Sequence, residues 1–133
     1  MDLNKLTLKS QAALQEGHDQ AVARNHQTIE PEHILFALLA DPEGIVYPLL
    51  HQAGADPGAL RRRVDEALGR VPKVFAQGAA AEARISSATA ALLDAATREA
   101  EALTDEYVST EHLLLAMLTG DSGAARVLQD AGL

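Results

Sequence analysis

The sequence predicts an all-α domain of about seven or eight helices, built as a duplicated repeat with pseudo-twofold symmetry. Its 133 residues suffice for one domain with its own core. Hydrophobic residues, many of them Ala and Leu, make up 47% of the chain and aromatic residues only 3%, which favours helix-on-helix packing. The motif "IEPEH" at 29–33 returns as "VSTEH" at 108–112, and an apolar run follows each copy. Self-similarity at a fixed offset indicates a structural repeat.

The repeat extends well beyond these motifs, and its identities recur at the spacing of a helix. Such spacing marks buried helix faces, so each copy predicts one supersecondary unit. We assign repeat 1 to about 3–71, a linker to about 72–81 and repeat 2 to about 82–133, within a single domain spanning 1–133. The aligned pairs include Ala12 with Ala91, Leu14 with Leu93, Glu32 with Glu111, His33 with His112 and Leu35 with Leu114.

Each copy opens with two helices joined by a short extended link. The long first helix is predicted at about 7–24 and 82–103, and the second at about 31–40 and 110–119. Pro31 suits the first helical position, where its missing N–H costs nothing. Ser109 is a candidate N-cap, because its hydroxyl can accept from a free N–H of the first turn.

A third, shorter helix follows a Gly-containing turn and ends at "QAG" or "DAG", where Gly is a natural residue after the C-cap. In the first copy Asp56 and Pro57 then begin a fourth, charged helix, "ALRRRVDEALGR". The second copy reaches Leu133 where its fourth helix would begin. We therefore expect the chain to be a fragment, or a domain trimmed before its last helix.

Composition excludes several classes of function. The chain has no cysteine, so it has no disulfide or thiolate chemistry. No apolar run approaches the ~20 residues that span a bilayer, and the start lacks a secretory h-region; we expect a cytoplasmic protein without a membrane partner. A net charge of −8 and few aromatic residues argue against nucleic acid as a partner. An acidic surface suits basic or unfolded polypeptides, or serves only for solubility.

No motif points to catalysis, a metal or a cofactor. The sequence contains no GxxxxGK[ST], GxGxxG or HExxH pattern and no nucleophile elbow. We therefore expect a non-enzymatic chain with no catalytic residues, no metal site and no cofactor. His33 and His112 are expected to be surface or packing residues in the first turns of their helices.

The acidic residues of the second copy have two interpretations. Glu111 lies in the first turn of a helix, where a carboxylate interacts with the positive end of the helix dipole and contributes about 0.3–1 kcal/mol. Alternatively, Glu111 and Asp105 form an acidic rim beside that helix start and bind a ligand. In the first copy His26 takes the position of Asp105, so the two halves should not be equivalent.

The stretches "LTLKSQAAL", "IEPEHILFALL", "LLHQAGAD", "ALGRVPKV" and "DEYVSTEHLLLAML" together resemble the N-terminal domain of the Clp AAA+ unfoldases. The resemblance covers essentially the whole chain and is greater to the protein-disaggregating branch than to the protease-coupled branch. It implies a substrate-handling site that matches Thr7, Asp105 and Glu111 here. The pseudo-symmetric positions Ser86, His26 and Glu32 would then form a weaker second site.

The resemblance also implies an apolar groove beside this polar site. Its depth should suffer from small or charged positions on the first helix of the second copy, including Ala95, Ala96 and Glu99. The implied partners are unfolded or aggregated protein clients, with co-chaperones or adaptor proteins as further partners. ATP and Mg²⁺ are expected only in downstream modules of a hexameric parent, and the isolated domain is expected to be a monomer. The alternative is a stand-alone adaptor, or an adaptor-docking module of a Clp protease system.

Overall fold

The computed structural model describes residues 3–74 and 83–133, and most of the predicted linker lies outside these ranges. Within them the chain forms helices and only two short strands, which confirms the all-α class. No helix in these ranges is long and apolar enough to cross a membrane. In chain order the elements are a 3-10 turn Leu3–Lys5, α1 Leu8–Ala23, β1 Thr28–Ile29, α2 Pro31–Leu39, α3 Val46–Gln52, α4 Pro57–Gly69, β2 Arg84–Ile85, α5 Ser87–Ala102, α6 Thr110–Thr119 and α7 Gly123–Asp130.

Local sequence signals set most helix ends as predicted. Pro31 is the first residue of α2. The Asp56 side chain caps α4 by accepting from the backbone N–H of Gly58 at 3.0 Å. Gly54 and Gly132, just after α3 and α7, have φ values of 86° and 89°, a conformation that glycine adopts without a steric penalty.

The predicted start of the second long helix is wrong. α5 begins at Ser87 rather than near 82, because Arg84–Ile85 form β2 and pair in parallel with β1. The Ser86 side chain then caps α5 by accepting from the backbone N–H of Thr89 at 3.1 Å. A two-residue strand carries no period, so only its partner across the repeats specifies it.

Backbone pairing joins each repeat to the other. The N–H of Thr7 donates to the carbonyl of Val108 at 3.0 Å, and the N–H of Ser86 donates to that of Ile29 at 3.2 Å. Leu6 forms a parallel bridge with Val108, as Ile85 pairs with Ile29. The stretch leading into the first helix of each repeat thus pairs with the stretch leading into the second helix of the other repeat.

Two buried hydroxyl groups reinforce this seam. Ser10 Oγ donates to the carbonyl of Val108 at 2.9 Å, and Thr89 Oγ1 donates to that of Ile29 at 2.7 Å. Both hydroxyl-bearing residues are fully buried. Because Ser10 and Thr89 occupy equivalent positions of the two repeats, the hydrogen bonds obey the pseudo-twofold symmetry.

One core unites the two halves. α1 packs on α2 and α5 packs on α6, while α7 contacts both α2 and α4 of the other repeat. Gly17 is buried inside α1, and a Cβ there would lie 3.4 Å from Ile34 Cγ1 and 3.6 Å from the backbone of His33. The glycine, whose helix-weakening effect is about 0.5–1 kcal/mol relative to Ala, therefore lets α1 lie close against α2.

Removing the Thr89 hydroxyl tests the seam. We expect Thr89→Val to lower the free energy of unfolding by about 1–2 kcal/mol, because a buried hydrogen bond to the other repeat is lost at nearly constant volume. Thr89→Ser, which keeps the hydroxyl, is the matched control and should retain most of the stability. Urea unfolding followed by circular dichroism measures both; unchanged stability of Thr89→Val would show that the hydroxyl contributes nothing to the seam.

Candidate functional site

Four side chains at the start of α6 form one hydrogen-bonded network. His112 Nε2 lies 2.8 Å from Asp105 Oδ2, and His112 Nδ1 accepts from the backbone N–H of Ser109 at 2.9 Å. Ser109 Oγ lies 2.8 Å from Glu111 Oε1. Two of the three predicted site residues, Asp105 and Glu111, are therefore connected through Ser109 and His112.

The hydrogen bonds determine the proton positions in this network. Because Nδ1 of His112 accepts from a backbone N–H, the ring proton is on Nε2 and is donated to Asp105. Ser109 Oγ is also 2.9 Å from Nδ1, but that lone pair is already engaged, so the hydroxyl proton goes to Glu111. The side chains of Ser109, His112 and Asp105 thus serve to cap the helix. His112 is only 2% exposed, and its Nδ1 is not free to act as a base toward the Ser109 hydroxyl.

Asp105 is held in place by the end of α5. The N–H of Asp105 donates to the carbonyl of Ala100 at 2.8 Å, and that of Thr104 to Glu101 at 3.0 Å. This pattern is a Schellman motif, with Thr104 as the left-handed residue at φ 57°. The motif turns the chain so that Asp105 reaches back to His112 while its side chain stays half exposed.

Thr7 reaches the same region through the main chain. It caps α1, where its Oγ1 accepts from the backbone N–H of Ser10 at 3.2 Å and donates to Ser10 Oγ at 3.0 Å. Its own N–H is bonded to Val108, next to Ser109. Among the described residues, no hydrogen bond joins the Thr7 side chain to either carboxylate; the seam joins Thr7 to Val108, one residue before Ser109.

A groove of about 460 Å³ runs between α1 and α2 and reaches Thr110, the first residue of α6. An ion pair crosses it, with Lys9 Nζ 2.8 Å from Asp41 Oδ2. This hydrogen bond raises the pKa of Lys9 and lowers that of Asp41. The groove lining is otherwise formed mainly by small and aliphatic side chains, including Ala12, Ala13, Ala37, Leu38 and Val46.

The groove beside the polar site therefore differs from the one expected. It is lined by α1 and α2 of the first repeat, so Ala95, Ala96 and Glu99 do not limit it. Ala95 lines the pseudo-symmetric groove between α5 and α6, of about 330 Å³, which reaches Pro31. Ala96 lines neither groove and is fully buried. The crossing of the repeats at the seam explains why a polar site on repeat 2 adjoins a groove on repeat 1.

The weaker set predicted in the first repeat is engaged differently. The Glu32 carboxylate lies over the start of α7, where a Cβ on Gly123 would come within 2.8 Å of Glu32 Oε2. Burial raises the pKa of Glu32, and the backbone N–H of Ala124 partly opposes this rise. Ser86 caps α5. His26 is buried and its Nδ1 lies 2.7 Å from His33 Nε2. His26 is thus buried where Asp105 is half exposed, whereas Ser86 and Glu32 are half-buried like their counterparts Thr7 and Glu111.

The role of His33 and His112 was not foreseen from the sequence. Of the two expected placements, packing is confirmed and the helix surface is wrong, because the two residues are 0% and 2% exposed. Each sits at the third position of its helix and accepts the N–H of the N-cap residue, which completes a capping box with imidazole in place of the usual Glu or Gln. The "-EH" spacing in both copies was the available signal. In the described ranges, no group of three or more potential ligands could hold a metal ion.

Comparisons with known proteins agree with a double-repeat helical domain of the Clp type. A model of the Clp repeat (R) N-terminal domain family matches residues 5–131. Chaperone protein ClpB of Mycobacterium tuberculosis is 38% identical over 132 residues, 99% of this chain and 15% of that protein. The chain thus spans about 15% of the length of such relatives. The chain belongs to the Clp repeat N-terminal domain family.

Solved structures share the fold at lower identity. The N-terminal domain of Hsp104 from Candida albicans has a TM-score of 0.83 at 22% identity, covering 97% of this chain and 83% of that one. A ClpV N-domain in complex with a VipB peptide has a TM-score of 0.75 at 24% identity, covering 96% and 77%. These similarities support the all-helical repeat architecture.

The left-handed residue before Asp105 gives a stability test. A β-branched residue at positive φ is strained, so we expect Thr104→Asn to raise the free energy of unfolding by about 1 kcal/mol. Asn25 holds the equivalent position of the first repeat at φ 60°, and Asn25→Thr should lower stability by a similar amount. Denaturant unfolding of both variants checks this; changes of the same sign would contradict it.

Proposed function

We propose that this chain is the N-terminal substrate-recognition domain of a ClpB-like, ATP-dependent protein disaggregase. In this role it binds exposed segments of unfolded or aggregated proteins and passes them to an AAA+ motor. The observation that carries the proposal is the network at the start of α6, which links Asp105 to Glu111 and adjoins Thr110, where the groove between α1 and α2 ends. Membership of the Clp repeat family supports it.

The groove and the carboxylates suit different parts of an extended client. An aliphatic side chain of the client would enter the groove between α1 and α2, and each buried Leu-sized group contributes about 1.5–3 kcal/mol before ordering costs. Asp105 and Glu111 would accept from backbone N–H groups or cationic side chains of the client. Thr7 adds a hydroxyl at the mouth of the site.

Weak binding follows from the small size of the site. A groove of about 460 Å³ holds only a few side chains, and the Lys9–Asp41 pair across it must be displaced or accommodated. Such an interaction tolerates many sequences, because backbone groups and generic aliphatic side chains provide the contacts. A loosely bound client can be transferred to a motor, since its release from the domain costs little binding free energy.

We infer that the site operates on one side of the molecule. In the first repeat the Glu32 carboxylate covers the start of α7, and His26 is buried against His33. There the His33 ring is paired with a buried imidazole rather than with a carboxylate, and the Glu32 carboxylate is half-buried. Ser86, Glu32 and His26 would accordingly bind more weakly than Thr7, Glu111 and Asp105.

A second candidate function is a docking module for one dedicated partner, either in a stand-alone adaptor or in a protease-coupled Clp protein. The solved complex of a ClpV N-domain with a VipB peptide favours it, because a similar fold there holds one defined peptide. A coding sequence that ends after this domain would support the stand-alone adaptor, whereas one that continues into a nucleotide-binding module would exclude it and fit both the disaggregase and the protease-coupled protein.

A paired substitution tests the site. We expect Asp105→Ala combined with Glu111→Ala to weaken binding of a fluorescently labelled, permanently unfolded protein at least tenfold, about 1.4 kcal/mol. The matched control is Asp94→Ala combined with Glu101→Ala, which makes the same charge change at exposed positions of α5. Fluorescence anisotropy measures the affinities, and circular dichroism checks the fold.

The control decides between a site and general attraction. Equal weakening by both double variants would mean that net charge rather than the α6 network attracts the client. NMR shift perturbations by the unfolded protein should centre on Thr7 and residues 105–111. A map centred elsewhere would contradict the site, and tight binding of only one defined peptide would favour the docking module.

A further inference from the structure

Two histidines of the first repeat form a buried pair. His26 Nδ1 lies 2.7 Å from His33 Nε2, and the two residues are 4% and 0% exposed. His33 Nδ1 also accepts the backbone N–H of Glu30 at 2.8 Å. The pair therefore sits where the chain passes from α1 through β1 into α2.

The hydrogen bonds of His33 determine where each proton of the pair lies. Because His33 Nδ1 accepts, its ring proton is on Nε2 and is donated to His26. Nδ1 of His26 must then accept, which leaves the proton of His26 on Nε2. That buried N–H has no hydrogen-bond partner within residues 3–74 and 83–133. Both rings are thus neutral, and one buried polar group is unsatisfied, which is uncommon in proteins.

An additional proton cannot enter this arrangement without breaking it. On His33 it would occupy Nδ1 and oppose the N–H of Glu30. On His26 it would occupy Nδ1 and oppose the Nε2–H of His33. In either case two donors would face each other at less than 3 Å, so a hydrogen bond must open.

Burial and the nearby positive charges disfavour an additional proton on the pair. Burial, followed by the positive charges of Arg24 just after α1 and Lys73 after α4, lowers the pKa of His26, and Glu30 partly opposes this. Burial and the adjacent His26 lower the pKa of His33 to about 4. On β2, Arg84 is exposed to solvent.

The sign of the pH effect follows from these shifts. An unfolded histidine has a pKa of about 6.5, above the folded values, so the open state binds more protons than the closed state below pH 6.5. Stability is fully present above about pH 6.5 and falls as the pH drops toward about 4.

The second repeat has one buried imidazole here instead of two: a proton on His112 Nδ1 would likewise oppose the N–H of Ser109, but no second ring among the described residues is buried beside it. There His112 Nε2–H donates to the half-exposed carboxylate of Asp105. Unlike the His26 ring, a carboxylate carries no N–H that needs a hydrogen-bond partner of its own. The equivalent stretches 26–33 and 105–112 therefore share the capping bond but differ in the group that completes it.

We propose that the His26–His33 pair is an acid-sensitive latch on the first repeat. When the pair takes up a proton, the stretch 26–33 opens and the carbonyl of Ile29 leaves the N–H of Ser86 and the hydroxyl of Thr89. The β1–β2 half of the seam then loosens, while the half formed by Thr7 and Val108 stays closed. At mildly acidic pH the repeats are then joined on one side of the domain only.

Hydrogen exchange at equivalent amides tests the latch on the intact chain. Between pH 7 and pH 5, the protection factors of the Glu30 and Ser86 amides should fall at least tenfold relative to those of Ser109 and Thr7, which make the equivalent bonds in the other half. Equal changes in both halves, or none in either, would overturn the proposal. Ring ¹⁵N shifts at pH 7 that place a proton on Nδ1 of either histidine would also overturn it.

Replacing His26 with the residue of the other repeat provides the specific variant. His26→Asp should abolish the differential loss of protection, whereas His51→Gln, at an exposed site on α3, should leave it as in the unaltered chain. If the buried carboxylate prevents folding, His26→Asn offers a neutral acceptor to His33 and should have the same effect. Persistence of the tenfold difference in either folded variant would refute the latch.

Discussion

The seam depends on two backbone carbonyl groups, those of Ile29 and Val108. Each accepts one bond from a backbone N–H and one from a buried hydroxyl, and both donors belong to the opposite repeat. A carbonyl oxygen has two lone pairs, so the cross-repeat contacts use its full capacity. A buried carbonyl without partners costs free energy, and neither repeat can supply these donors to itself. The repeats are therefore stable as a pair rather than as two independent units.

This constraint also creates the candidate site. Because Val108 is tied to Thr7 and Ser10, the start of α6 is held against the start of α1, and a groove of the first repeat ends at a network of the second. The Schellman motif at the end of α5 and the capping box at the start of α6 then fix Asp105 relative to His112. The end of α5 and the start of α6 together position the Asp105 carboxylate at the seam, and neither would position it alone.

The helices could be predicted because their signals are local. Pro31, Ser109 and Asp56 each act within three residues of their own position, and the apolar spacing repeats along the same helix. The strand at 84–85 and the position of the groove could not be predicted, because both depend on which segment of the other repeat lies alongside. The histidines show an intermediate case. The "-EH" motif marks a helix start in both copies, but it does not show that the imidazole accepts the N–H of the N-cap residue. That role also requires a hydrogen-bond partner for the second ring nitrogen. That partner is seven residues earlier, at His26 or Asp105, beyond a turn whose geometry the sequence does not display.

The two repeats carry similar residues where the seam hydrogen bonds require a hydroxyl group, and different residues where they do not. Positions 10 and 89 both carry a hydroxyl, as do positions 7 and 86, since each must donate to a carbonyl or cap a helix. Positions 26 and 105 need only an acceptor for the Nε2–H of a histidine, and imidazole and carboxylate both meet that requirement. This choice changes the exposure of the position: the Asp105 carboxylate is half exposed, whereas the His26 imidazole is buried and leaves one N–H without a partner in the described part of the chain. The same scaffold thus holds a half-exposed acid in one half and a buried pair of imidazoles in the other, without altering the bonds that hold the halves together.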